Sequence, residues 1–154
     1  MVRDNPVEAK TVRRPRSLLF LCTGNSARSQ MAEGFARTMF PPEIKIYSAG
    51  ITPVGVHPFT IEVMKECDVD IRYHYSKGLS SIPLDQIDTV ITLCDYAKTY
   101  CPTFPRPVDQ HHWSIEDPVR FRGLPDAVKP SFRKARDEIR ARIEEYIKLL
   151  KVMT

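Results

Sequence analysis

The stretch from Leu18 to Met39, LLFLCTGNSARSQMAEGFARTM, constrains this chain more than any other segment. Leu18 to Leu21 is a short apolar run, as a strand covered on both faces requires. Cys22 stands where that strand ends, and Arg28 completes a Cys-x5-Arg spacing. Ser29 then opens a helix whose apolar stripe runs through Met31, Phe35 and Met39. A thiol at a strand's end, facing a helix N-terminus, sits in a positive field. The unpaired N–H groups of the first turn and the helix macrodipole both stabilise negative charge on the sulfur. Those N–H groups, with the loop residues Thr23, Gly24, Asn25, Ser26 and Ala27, form a concave anion nest. Arg28 adds a planar fork able to grip two oxygens of a tetrahedral oxyanion. Gly24 allows close backbone approach, and Asn25 tolerates a left-handed conformation. Ser29 is placed to cap the helix, with Glu33 nearby, and its hydroxyl can hydrogen-bond a thiolate. A buried structural cysteine ahead of an ordinary helix would explain the Cys-x5-Arg spacing alone. It does not explain strand, glycine, asparagine, arginine and serine in this order.

With 154 residues and 42% hydrophobic content, the chain is expected to form one domain with a sizeable core. Residues 1–16 read as a basic, flexible tail and residues 17–154 as a single domain. The formal charge of +4 owes much to Arg3, Lys10, Arg13, Arg14 and Arg16, a solvated tail rather than a nucleic-acid arm. That tail has no apolar run and is not a secretory signal, and no stretch could span a membrane. A cytoplasmic location is expected. Four cysteines without short regular spacing do not make a secreted disulfide scaffold.

Along the chain, Pro41-Pro42 stops the first helix, and Ile44 to Ala49 alternates as a second strand closed by Gly50. Ile51 to His57 is a turn-rich connection. Pro58 opens a helix carrying Ile61, Val63, Met64 and Cys67. Asp68 to Tyr75 is a short crossover, and Pro83 to Ile87 at most a brief helix. Thr89 to Leu93 is a third strand, and Asp109 to Trp113 a short fourth. From Ser131 a long helix places Phe132, Ala135, Ile139, Ile143, Tyr146, Ile147 and Leu150 on one face, a core-packing pattern rather than a coiled coil. The alternation predicts a three-layer α/β sandwich, a small parallel sheet of about four strands with helices on both faces. Anions bind such sheets at the carboxyl ends of strands, where Cys22 and Cys94 both fall.

Cys94 follows the third strand, and Cys101 comes seven residues on, in LCDYAKTYCP. In a helix such residues share a face but stand about 10 Å apart along the axis. A disulfide needs Cα atoms within roughly 7 Å. The pair can be bridged only if the segment unwinds, which Pro102, Pro105 and Pro107 allow. Two independent thiols are the plain alternative. A zinc site from Cys94, Cys101, His111 and His112 lacks standard spacing. Asp117-Pro118 is a turn dipeptide whose carboxyl, on a mobile loop, could act as a general acid.

The CTGNSARS segment resembles the phosphate loop of the low-molecular-weight protein tyrosine phosphatase superfamily, which also contains thioredoxin-linked arsenate reductases. TGNSARSQMAEG followed by YSAG, Tyr47 to Gly50, resembles the reductase branch more closely. The similarity runs from about Ser17 to the C-terminal helix. In that branch the LC-x6-CP segment supplies the second and third redox thiols. The resemblance therefore implies that Cys22 attacks arsenate and forms a thiol–arsenic adduct. Cys94 then attacks Cys22, expelling arsenite and leaving a Cys22–Cys94 disulfide. Cys101 next attacks Cys94, and thioredoxin reduces the resulting Cys94–Cys101 bridge. Each exchange is favoured by access and by a good leaving thiolate such as Cys22. In both branches a DP pair supplies the acid, here Asp117, while Arg28 and the loop bind the oxyanion and Ser29 and Asn25 support loop and thiolate.

The phosphatase branch usually has a second loop cysteine, and here that position is Ala27. It also tends to place aromatic residues after DP, whereas DPVRFRG offers Val119 and Arg120, with only Phe121 beyond. It lacks the Cys94/Cys101 pair. The alternatives are a phosphatase hydrolysing phosphomonoesters through a Cys22 phospho-intermediate, and a non-catalytic anion or metalloid sensor. Some members hold potassium with an asparagine, a glutamate, a serine and an acidic residue. Asn25, Glu33 and Ser48 match, but the acidic position is Lys77, whose ammonium would take the cation's place. No potassium requirement and no bound metal or cofactor are therefore expected. The expected partners are arsenate, with phosphate or sulfate as analogues, and thioredoxin; the default state is a monomer. Cys67 is expected to be a core thiol, Trp113 a packing residue, and His57, His74, His111 and His112 structural or surface residues.

Overall fold

A computed structural model describes residues 13–120 and 122–152. The chain runs β1 (Ser17–Cys22), α1 (Arg28–Met39), β2 (Lys45–Gly50), α2 (Pro58–Lys65), β3 (Thr89–Thr92), α3 (Asp95–Thr99), β4 (Asp109–His112) and α4 (Pro125–Val152). Short 3-10 turns lie at Leu79–Ser81, Leu84–Gln86 and Pro118–Arg120. The four strands form one parallel sheet in the order β2-β1-β3-β4. Successive side chains of a strand point to opposite faces. Leu18, Leu19, Phe20 and Leu21 are each 0% exposed, so both faces of β1 are covered and the sheet is the middle layer. Apolar residues at consecutive positions, not alternation, are what such a strand needs.

The long amphipathic helix α4 packs along α1 and α2. Phe132, Ile139 and Ile143 on its inner face are fully buried. Phe132 lies 4.7 Å from the His57 ring and 5.6 Å, edge-on, from Phe59. Tyr146 closes the other end against Phe40 and Trp113, and Trp113 also meets Phe20, so Trp113 is a packing residue as expected. His57 caps α2, its Nδ1 accepting from the Phe59 N–H at 3.0 Å. Accepting requires a bare ring nitrogen, and burial pushes the imidazole's pKa down, against the raising effect of Glu62.

Most element ends shift by a residue from the sequence expectations, α1 starting at Arg28 and β2 spanning Lys45–Gly50, and three differences are larger. α4 begins at Pro125, ahead of Ser131, and carries Pro130 inside it. Pro125 suits a first helical position, and Pro130, still near that end, forgoes only one backbone bond. α2 ends at Lys65, so Cys67 lies beyond it. Cys67 is half-buried at the edge of the core rather than within it, 3.9 Å from Arg140 Nη1. The sheet's hydrogen bonding also reaches Arg16, whose N–H donates to Asp88 Oδ2 and whose carbonyl accepts from Lys45 N–H. Residues 1–12 of the expected tail, Phe121 and the last two residues lie outside the described residues.

Phe132 holds α4 to α2, so Phe132→Ala leaves a cavity between them. Urea denaturation is expected to show a loss of about 3–5 kcal/mol in unfolding free energy.

Candidate active site

β1 ends at Cys22 in the middle of the sheet, and the loop Thr23–Ala27 turns directly into α1. With the order β2-β1-β3, connections leave β1's neighbourhood in both directions, opening a crevice at the strands' carboxyl ends. The loop's carbonyls explain its shape. Those of Cys22, Thr23 and Gly24 accept from the N–H groups of Ile51, Thr52 and Val54. The Asn25 carbonyl accepts from Gln30 Nε2, and that of Ser26 from His57 N–H and Thr60 Oγ1. Ser76 Oγ adds a second bond to the Gly24 carbonyl. In a trans peptide the N–H points opposite to the carbonyl. Five carbonyls tied outward therefore turn the amides of Thr23, Gly24, Asn25, Ser26 and Ala27 into the concavity, an anion nest.

Asn25 adopts the left-handed conformation expected of it, with φ 49°. Its side chain is saturated. Nδ2 donates to Ser29 Oγ at 2.7 Å and Ser48 Oγ at 3.0 Å. Oδ1 accepts from Gln30 Nε2 at 2.8 Å and from the Lys77 N–H at 2.9 Å. Ser29 Oγ accepts from Asn25 and also lies 2.8 Å from Cys22 Sγ, where its hydroxyl can donate to a thiolate. The expectation that Ser29 caps the helix is corrected here. Ala27 holds the N-cap position and no side chain caps it. Ser29 lies one residue inside α1 with its hydroxyl aimed at the sulfur, so it cannot also reach the first turn's N–H groups.

Close backbone approach occurs at Gly50 rather than at Gly24. A Cβ on Gly50 would lie 2.6 Å from Asn25 N and 2.7 Å from Gly24 C. A Cβ on Gly24 would press, at 2.9 Å, on a methyl of exposed Val54, which can move, and would meet Ser26 Cβ and the Thr52 carbonyl only at ordinary contact distance. Gly50 is the β2 residue paired with Cys22, so the strand end and the loop share one space that admits no side chain.

Beneath the loop lies a buried polar set. Ser48 Oγ donates to Glu33 Oε1 at 2.5 Å. Lys77 Nζ reaches Glu33 Oε1, Ser48 Oγ and the Tyr75 carbonyl, each at 3.3 Å. Arg37 donates to Glu33 Oε2 at 2.9 Å. Burial pushes the Glu33 carboxyl up, but the Ser48 bond, Lys77, His74 and Arg37 outweigh it, and its pKa falls below the usual carboxylate value. His74, whose pKa burial pushes down against Glu33, donates from Nδ1 to Gln30 Oε1 at 2.9 Å.

Arg28 is buried at the floor of a cavity of about 240 Å³ that Cys22, Thr23, Gly24, Ser26, Ala27 and Asp117 also line. Its Nη1 donates to the Ile115 carbonyl at 3.1 Å, and Nη2 faces Asp117 Oδ2 at 3.6 Å. Thr52, Val54 and Val119 complete the lining; Val119 stands where the sequence placed it, after the DP pair, while Thr52 and Val54 carried no sequence signal. Thr23 also does more than line the loop. Its hydroxyl lies 3.3 Å from Cys94 Sγ, bringing the second thiol to the lip of the nest. Cys94 caps α3, its sulfur accepting from Ala97 N–H at 3.4 Å, and Cys101 follows the helix's other end. All four cysteines are free thiols, and burial pushes the Cys101 pKa up. Among the described residues, no three His, Cys, Asp or Glu side chains are grouped to hold a metal, and no helix is long and apolar enough to cross a membrane.

A buried thiol at a strand end, a loop of outward-tied carbonyls, a buried arginine and a rim carboxylate share one cavity on a four-stranded parallel sheet. Residues 17–153 match the low molecular weight phosphotyrosine protein phosphatase family, and the chain belongs to it. Within the family it is 43% identical over 131 residues to an arsenate reductase of Staphylococcus haemolyticus, spanning 85% of this chain and 94% of that protein. A solved arsenate reductase in the phosphate binding state superposes with a TM-score of 0.69 at 31% identity, covering 87% of this chain and 98% of that one. A thioredoxin-dependent arsenate reductase of Corynebacterium glutamicum gives a TM-score of 0.70 at 25% identity, covering 96% of this chain and 68% of that one.

Gly50→Ala forces Asn25 and Gly24 backbone out of place while leaving the core intact. Oxyanion turnover is expected to fall at least tenfold, on the scale of losing one amide donor, with an unchanged far-UV circular dichroism spectrum.

Proposed function

We propose that this chain reduces arsenate to arsenite, using Cys22, Cys94 and Cys101 as a thiol–disulfide relay that thioredoxin recharges in the cytoplasm. The carrying observation is the Thr23–Cys94 contact. It holds a second thiol at the edge of the nest that contains Cys22. In this scheme arsenate sits on the loop amides and Arg28 while Cys22 attacks arsenic. The Ser29 hydroxyl stabilises the sulfur's negative charge before attack and after release. Asp117, 3.6 Å from Arg28, donates the proton that lets an arsenate oxygen leave as water. Cys94 then attacks the sulfur of Cys22. Two thiols become one disulfide, and the two electrons reduce arsenic(V) to arsenic(III). Cys101 takes over the bridge and carries it outward. Arsenate reductases of high identity in the same family support this substrate, and a thioredoxin-dependent neighbour supports the reductant.

The same nest, thiol and acid give the phosphatase chemistry of the wider family a foothold as a slow side activity on small phosphomonoesters. Val54 and Val119, not aromatic rings, stand at the described cavity wall, which gives an aryl group little to stack on.

The deciding experiment is a single turnover. Reduced protein is mixed with arsenate, quenched by alkylation and mapped for disulfides, with arsenite assayed alongside. Arsenite release with a Cys94–Cys101 bridge is expected, arrested at Cys22–Cys94 in Cys101→Ser. The second exchange needs the Cys101 thiolate, whose formation burial disfavours, so its rate should rise from pH 7 to pH 9. Fully alkylated thiols and no arsenite, beside steady aryl-phosphate cleavage, would overturn the relay.

Lys77 carries the remaining part of the proposal. Its ammonium supplies the positive charge beneath the loop that a bound cation would supply elsewhere, so no potassium is required. Potassium titration at constant ionic strength should leave turnover unchanged. Strong stimulation would refute this.

A further inference from the structure

The redox segment is tied to the sheet by a contact that the relay does not by itself require. Asp95 opens α3 immediately after Cys94, and its side chain is 85% exposed. Its Oδ1 nevertheless meets Nε2 of His112, at the end of β4, at 2.9 Å. The imidazole is aimed from its other side, with Nδ1 2.7 Å from Oγ1 of Thr92, the buried β3 residue paired with it. Thr92, His112 and Asp95 thus form a line of hydrogen bonds from the sheet to the first turn of α3. Little else holds that helix. Ala97 is its buried residue, and Cys94 caps it through Sγ. Tyr96 and Tyr100 lie on its exposed side, their rings tilted against each other with centroids 4.6 Å apart.

A five-residue helix has no stability of its own, so its tertiary ties decide whether it is folded. The two exchanges of the relay make opposite demands on it. Cys94 stays beside Thr23, near Cys22, while α3 is folded. Cys101 can bond Cys94 only after α3 unwinds, because a disulfide needs Cα atoms within roughly 7 Å and a helix sets residues seven apart at about 10 Å. We propose that the His112–Asp95 hydrogen bond is a latch that keeps α3 folded for the first exchange and opens for the second. His112 is then a positioning residue. This inference rests on the relay proposed above. In the step it gates, the Cys101 thiolate attacks Cys94 Sγ. The Cys22–Cys94 bond breaks, the Cys94–Cys101 bond forms, Cys22 leaves as a thiolate and the Cys101 proton goes to solvent. No outside oxidant is needed. An exposed carboxylate gives a weak tie, enough to bias the helix without locking it.

The test uses the full chain with Asp95→Ala, His112→Gln and the double variant. Amide hydrogen exchange of Ala97 and Lys98 in the reduced protein reads the latch directly. Both single variants should speed it by about two- to fivefold, the weight of one partly exposed hydrogen bond, and the double variant should go no further. His112→Gln leaves the sequence of α3 untouched, so agreement with Asp95→Ala excludes a mere helix-propensity effect. Rapid quenching after arsenate addition reads the consequence. Formation of Cys22–Cys94, measured with Cys101→Ser added, should slow, while conversion of that bridge to Cys94–Cys101 should speed up. General loosening would slow both. Unchanged amide exchange, additive effects in the double variant, or both exchanges slowing together would overturn the latch. Absence of any Cys22–Cys94 bridge in the wild-type chain would instead sink the relay, and amide exchange would still decide whether the bond holds α3.

Discussion

The site depends on five backbone carbonyls being held outward. A flip of any peptide plane between Cys22 and Ala27 would put a carbonyl oxygen into the concavity, where it would repel an anion. Each carbonyl is therefore tied from outside, by the segment that follows β2, by α1 and by the start of α2. Those three regions meet only because β1 and β2 are paired so that Gly50 lies beside Cys22. Packing of the sheet and shape of the loop are thus one problem. A methyl group at Gly50 would be felt at the amides of Asn25 and Gly24.

Charge beneath the loop is arranged with the same economy. Glu33 is buried, which by itself would favour its neutral form. The Ser48 hydroxyl and the cations of Lys77 and Arg37 reverse that preference, so the carboxylate accepts bonds instead of demanding a proton. Ser48 and Asn25 pass the order upward, and Asn25 fixes the Ser29 hydroxyl against Cys22. Every polar atom of the Asn25 amide has its partners, and the Ser29 hydroxyl it fixes stands 2.8 Å from the sulfur. A buried network rigidifies a site when it is complete, and at Asn25 it is.

The proposed relay passes from this rigid centre to a segment that is barely structured. α3 is short, capped by the second thiol of the proposed relay, and bordered by Pro102. A helix that holds Cys94 in place and separates it from Cys101 has to be weak if both thiols are to act in turn. The contrast between a fixed nest and a yielding helix is what a relay of disulfides requires, since each new bond demands a new geometry.

Much of this was legible in the sequence, because the signals are local. The apolar run Leu18–Leu21, the left-handed Asn25, the Cys22-to-Arg28 spacing and the break at Pro102 each follow from the properties of neighbouring residues. So do the four strands and the packing face of α4, though Pro125 rather than Ser131 begins that helix. What the sequence could not carry are contacts between distant segments. Ser29 looked like a helix cap because serine near a helix start usually is one. Only the fold puts Asn25, Ser48 and Cys22 around it and redirects its hydroxyl. Gly24 stood inside the motif, yet the residue with no room for a side chain is Gly50, whose constraint arises from pairing with β1. Thr23 meeting Cys94 and His112 meeting Asp95 are likewise products of strand order. Local chemistry determined which residues can react; the sheet's register decided which of them meet.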